Sequence, residues 1–272
     1  MNCPPNPVMI QRILICWIMK NNYNPLQKAR DSFTRWSEDF SEVYIEFFVI
    51  LLFLITAGCL FYMLIHFVIP EKDNLIDNLS FYYVRTWITS TNTKLAIFIS
   101  YFGSGLFLLP AYIFIICLLT VKGRKTYAVF VFTVSVSGLL LGLVLKEFFQ
   151  RPRPLHKMIG AGGYSFPSGH SLGGFIFCML VIFLIWKLKT GRLNKYFLYF
   201  ISAVFGILIG LSRVYLHVHY ATDVLGSLFV AAGWFALIYV LFILVYRNDL
   251  HQCCERNEEE EEFYENNCDI YN

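Results

Sequence analysis

Residues 127–149 read YAVFVFTVSVSGLLLGLVLKEFF, an apolar run whose charges, Lys146 and Glu147, come only near its end. About 20 such residues cross a bilayer as a helix, because every backbone polar group must be satisfied within the segment. Five further stretches qualify: roughly residues 43–69, 95–120, 171–186, 196–211 and 221–246. Those at 171–186 and 196–211 are close to the lower length limit of about 17 residues. The expected architecture is all-α and polytopic, with six transmembrane helices.

Composition agrees. Of 272 residues, 57% are hydrophobic and 15% charged, against about 25% charged in ordinary soluble domains. A net charge of +3 is too small to suggest nucleic-acid binding. Cys3, Cys16, Cys253, Cys254 and Cys268 lie in polar ends, and Cys59, Cys117 and Cys178 inside apolar runs. None falls in a segment expected outside the cell, so reduced thiols are expected. No short CxxC pair exists to support a zinc site. The stretch 8–19 is short, is interrupted by Arg12 and lacks a small-residue cleavage site, so no cleavable signal peptide is expected.

Basic residues in short loops set the orientation. Lys122, Arg124 and Lys125 follow the second span, and Lys187, Lys189, Arg192 and Lys195 follow the fourth. These loops and both termini are expected in the cytoplasm, leaving 70–94, 150–170 and 213–220 outside. Residues 1–42 form a cytoplasmic segment. In it Asn24 and Pro25 start a helix, and Leu26, Ala29, Phe33, Trp36 and Phe40 recur as its apolar stripe. That helix either lies on the inner membrane surface or packs on the bundle ends; both readings fit. Residues 43–246 form the membrane domain. Residues 247–272, with the acidic run Glu258–Glu262, are expected to be a disordered cytoplasmic tail. Outside, Leu75, Leu79, Tyr83 and Trp87 make a helical stripe suited to the headgroup zone.

Arg151, Arg153 and Arg213 sit on the outer side against the charge rule, and they belong to three polar constellations there. The first runs from Lys146 through Arg153 to Pro154, and the second is Pro167, Ser168, Gly169 and His170. The third is Ser212 and Arg213, then His219 and Asp223. Lys146, Arg153 and Arg213 can bracket the non-bridging oxygens of a phosphoryl group, arginine with a planar fork and lysine as a point charge. Gly169 lets backbone approach closely, and amides at a helix start can donate to an anion. His219 and Asp223, four apart, share a helix face. The carboxylate can hold one imidazole nitrogen and leave the other to attack phosphorus, with His170 as general acid.

Together these constellations resemble the type 2 phosphatidic acid phosphatase superfamily, whose signature is Lys-x6-Arg-Pro, Pro-Ser-Gly-His and Ser-Arg-x5-His-x3-Asp. The match runs over about 146–223, without a departure, while the N-terminal segment and tail lie outside it. The resemblance implies a metal-independent phosphatase without a cofactor, forming a phosphohistidine at His219. His170 would protonate the leaving group and Asp223 orient His219, while Lys146, Arg153, Ser168, Gly169 and Arg213 hold the phosphate. The family includes phosphatidate, phosphatidylglycerophosphate, undecaprenyl diphosphate and lipid A phosphatases, glucose-6-phosphatase and vanadium haloperoxidases.

Taken singly, Lys146 would read as a snorkelling helix-end lysine. His217 is a rival nucleophile, but its spacing to Arg213 and Asp223 is wrong, so a structural role is expected. Arg151 and His156 could reach a second phosphate or headgroup, yet a solvated loop is their expected setting. Gly138 and Gly142, and likewise Ser202, Gly206 and Gly210, mark close helix contacts. Because the charged cluster lies at the membrane boundary, a lipid phosphate is the expected substrate. A lipid phosphotransferase, a soluble-ester phosphatase and an anion transporter are the rivals; the transporter would need charges at mid-membrane depth, which the spans lack.

Overall fold

A computed structural model describes residues 51–52, 54–68, 74–187 and 192–268. The expected amphipathic helix before the first span, and the start of that span, lie outside the described residues. Eight helices and no strand occur among those described. They are α1 (Leu54–His66), α2 (Leu75–Thr86), α3 (Ser90–Tyr101), α4 (Gly105–Val121), α5 (Lys125–Phe149), α6 (Gly169–Lys187), α7 (Arg192–Tyr215) and α8 (Ala221–Cys268). The chain divides into two units, and that from Ile50 to Phe242 holds every candidate site residue.

Five segments are long and apolar enough to cross a membrane: Ser90–Val121, Lys125–Phe149, Gly169–Lys187, Lys195–Tyr215 and Ala221–Val245. Leu54–His66 is apolar but shorter. Large side chains such as Leu106, Val121, Leu139 and Phe148 stand exposed along the long segments, as faces turned to lipid must in a bilayer, where hydrocarbon replaces water as their surroundings. Helix α8 runs on through the acidic stretch as far as Cys268. Glutamate is a good helix former, and the apolar helix ahead of it removes the nucleation cost.

Small residues let the helices close on one another. A Cβ at Gly138 would stand 2.5 Å from Ile176 Cδ1, and one at Gly142 2.7 Å from Leu172 Cδ2, so α5 packs on α6 through that glycine face. Phe130 of α5 lies among Phe183 of α6 and Phe235, Tyr239 and Phe242 of α8, with centroids 4.7 to 6.0 Å away. Helix α7 packs against α2, α3 and α6.

The span expected at 95–120 is not one continuous helix. It breaks at Phe102–Ser104, between α3 and α4. A Cβ at Gly103 would come within 2.7 Å of both the His170 carbonyl and Ile209 Cγ2. Hydropathy cannot register such a break, since every residue there is tolerable in lipid. The break brings backbone against the start of α6, where His170 sits.

Candidate active site

Three chain segments meet at this end of the bundle. Helix α5 stops at Gln150, whose left-handed backbone (φ 45°) lets its amide donate to the Lys146 carbonyl at 3.0 Å. The loop that follows is pinned to neighbouring backbone: Ser165 N donates to Arg151 O (2.7 Å) and Met158 N to Leu216 O (3.0 Å). It then enters α6 through the buried residues Ser165–Ser168. Phe166 interlocks with the last helix: a Cβ on Gly226 would lie 2.3 Å from Phe166 Cε2 and 3.2 Å from Leu64 Cδ2.

Helix α8 begins on a polar frame. Tyr220 N donates to Asp223 Oδ2 at 2.9 Å, the acidic half of a capping box. Asp223 Oδ2 also accepts from the Ser165 hydroxyl and faces His219 Nδ1 at 3.4 Å. On the other side of the ring, His219 Nε2 lies 3.1 Å from Arg153 Nη1. His219 is 1% exposed and Asp223 0%. Burial is the first reason that His219 is held down to a pKa of about 4. The hydrogen bond and charge of Asp223 oppose this, while Arg153 and Arg213 add to it. The ring is therefore neutral at physiological pH, with one nitrogen held and the other beside a guanidinium.

The cations converge. Arg153 donates through Nε to Gly163 O and through Nη1 to Val218 O, both at 2.9 Å. Burial lowers its pKa, with Asp223 opposing. Lys146 Nζ donates to Tyr164 O at 2.9 Å, and Gly169 lies against the lysine stem, since a Cβ there would be 3.8 Å from Lys146 Cε. Arg213 is buried and donates through Nη1 to the Ser100 hydroxyl; its Nε, also buried, has no protein partner among the described residues. The charges of Lys146, Arg153 and Arg213 act on one another and on His170. Of the residues singled out in the sequence, Lys146, Arg153, Gly169, His170, Arg213, His219 and Asp223 are thus brought together. Ser168 differs: its side chain is fully buried, its hydroxyl 2.8 Å from that of Ser171.

His217 lies elsewhere. Its ring stacks on Phe81 with centroids 4.7 Å apart, and Nδ1–H donates to Tyr215 O at 3.0 Å. Arg151 corrects the expectation of a solvated loop residue. Its side chain is 12% exposed, bonded to Asp223 Oδ1 (2.5 Å), Asp77 Oδ2 (2.9 Å) and Thr222 Oγ1 (2.7 Å), with its guanidinium over the Tyr220 ring. Ser165 and Asp77 were invisible to sequence reasoning. Asp77 is marked in the sequence only as the one acid of α2.

The chain is similar to known proteins. A Bacillus subtilis phosphatidylglycerophosphatase B is 33% identical over 180 residues, 65% of this chain and 83% of that protein. The undecaprenyl-diphosphatase BcrC of the same bacterium is 31% identical over 103 residues, 36% of this chain and under half, 48%, of that one. A crystal structure of a transmembrane PAP2-type phosphatidylglycerolphosphate phosphatase from Bacillus subtilis superimposes with a TM-score of 0.62 at 27% identity, covering 69% of this chain and 94% of that one. The PAP2 superfamily model matches residues 126–247, the stretch that carries all three constellations. With a relative matched over most of its length and the fold in common, this integral membrane chain belongs to the PAP2 superfamily.

Proposed function

We propose that the protein is a lipid phosphate phosphatase that works through a phosphohistidine at His219. The observation that carries this reading is the two-sided hold on one buried imidazole: Asp223 and Ser165 at Nδ1, Arg153 at Nε2. Neutral Nε2 attacks phosphorus in line, and the bond from phosphorus to the lipid oxygen breaks. His170 gives that oxygen its proton, then takes one from the water that releases inorganic phosphate and restores His219. Asp223 offsets the positive charge that develops on the ring. Lys146, Arg153, Arg213 and the amides of Ser168 and Gly169 meet the equatorial oxygens, so the charge change needs no metal. With its hydroxyl engaged by Ser171, Ser168 contributes backbone rather than side chain.

Phosphatidylglycerophosphate, phosphatidate and undecaprenyl diphosphate are the substrates in view, the first favoured by the longer-matched relative. Six spans, cytoplasmic termini and an extracytoplasmic site complete the proposal, on the distribution of loop lysines and arginines. So does the division into a cytoplasmic segment (1–42), a membrane phosphatase domain (43–246) and an acidic tail.

The test is phosphate release from a panel of lipid phosphates in detergent micelles, together with trapping of acid-labile phosphoenzyme. His219→Ala should abolish both, and His217→Ala should stay near wild type. A dead His217→Ala beside an active His219→Ala would overturn the assignment of the nucleophile.

A further inference from the structure

The sequence motifs account for one carboxylate at His219 but not for what holds that carboxylate. Asp223 accepts through Oδ2 from Ser165 and Tyr220 N, and through Oδ1 from Arg151. Arg151 in turn bonds Asp77 of α2, a residue 74 positions earlier that is 4% exposed. Asp77 makes two further bonds to the start of α8: Thr222 N donates to its Oδ1 (3.0 Å) and Thr222 Oγ1 to its Oδ2 (2.9 Å). A buried carboxylate, a guanidinium and a second buried carboxylate therefore run in line from α2 to the candidate nucleophile. Buried ion pairs contribute little net stability against well-packed apolar groups, so folding alone is a weak reason for a charged chain here.

We propose that Arg151 and Asp77 are positioning residues of the phosphatase reaction, fixing the direction and the effective charge of Asp223 as it faces His219. The inference rests on the phosphohistidine reading. Arg151 occupies one oxygen of Asp223, leaving Oδ2 toward the imidazole, and its charge offsets part of the carboxylate's pull on the ring proton. Asp77 restrains Arg151 so that this offset stays partial. The other charged and titratable groups facing His219 are Arg153 from the loop, Arg213 from α7 and His170 from α6, with Lys146 of α5 acting on these groups and on Asp223. They are common to every variant below.

The experiment measures kcat, KM and the acid limb of kcat/KM for p-nitrophenyl phosphate in micelles. Arg151→Gln removes a positive charge beside Asp223, so the acid limb should move up by about half a unit or more. In that variant kcat should fall ~10-fold while KM changes less than ~3-fold, the mark of lost orientation. Arg151→Lys keeps the charge without the fork, so its limb should stay at the wild-type position while kcat falls. In Asp77→Asn the limb should not rise. The double variant Asp77→Asn/Arg151→Gln, with no net charge change, should bring the limb back toward wild type. A purely architectural pair predicts otherwise: losses of folded protein, with an unmoved limb in whatever survives. That result, or loss of folding in every variant, would overturn the proposal. Phosphoenzyme that persists in His219→Ala would instead sink the nucleophile assignment beneath it, so the two failures are told apart.

Discussion

Protonating His219 should silence the site, and the structure says at what pH. The ring is buried, and its pKa falls from the ordinary 6.5 to about 4. At 1.36 kcal/mol per unit the difference amounts to about 3 kcal/mol disfavouring imidazolium in the empty site. At pH 5.5 such a ring is ~30:1 neutral, whereas an unperturbed histidine would be ~10:1 protonated. The acid limb of kcat/KM, which reports the free enzyme, should therefore fall near pH 4, after correction for the substrate's own phosphate titration. Stability follows the same sign. With the folded pKa below the unfolded one, the unfolded chain binds more protons between about pH 4 and 6.5. The neutral ring's contribution is thus fully present above 6.5 and lost as pH falls through that window. His219→Gln should lose less stability than wild type between pH 6.5 and 4.5, read as the shift in melting temperature in one detergent. An acid limb near pH 6.5, with no difference between the two melting curves, would show a solvated imidazole and refute the argument from burial.

Replacing His170 by Ala should slow turnover of a lipid phosphate by ~100- to 10,000-fold, the usual worth of a general acid. The loss should be smaller for p-nitrophenyl phosphate, whose leaving group needs no proton; equal losses would remove His170 from that role. Activity should survive EDTA and be inhibited by vanadate, which can adopt the trigonal bipyramid of phosphoryl transfer; magnesium-restorable loss would contradict the cation-only site. A cysteine at Ala161 should react with an impermeant thiol reagent in intact cells and one at Gly191 should not; the reverse pattern would move the site to the cytoplasm.

What could be read in the sequence was whatever is local. Apolar runs mark Lys125–Phe149 and its fellows, and the four-residue spacing put His219 within reach of Asp223, although His219 stands in the bend before α8 and not on the helix itself. The glycine face of Gly138 and Gly142 was legible for the same reason. What escaped were relations between distant segments. Arg151 looked like a loop residue because its two acidic partners are 72 and 74 positions away. The break at Phe102–Ser104 sets Gly103 against the His170 carbonyl and Ile209, a relation between distant segments that hydropathy does not register. Ser165, a loop residue, carries no local signal, as its hydroxyl is used by an acid on α8.

The interlock of Phe166 with Gly226 constrains how this molecule can change. Phe166 follows Ser165, and Gly226 lies three residues after Asp223, so the interlock packs beside the bond between the serine and the carboxylate it serves. A methyl added first at 226 meets a fully buried ring with nowhere to retreat, at a cost of about 1–3 kcal/mol or more. If Phe166 is trimmed first, a hole opens that the methyl can then occupy. Substitution histories through these two positions should therefore be ordered, with the loss at 166 preceding the gain at 226. In a combinatorial library the large-at-both corner should be empty.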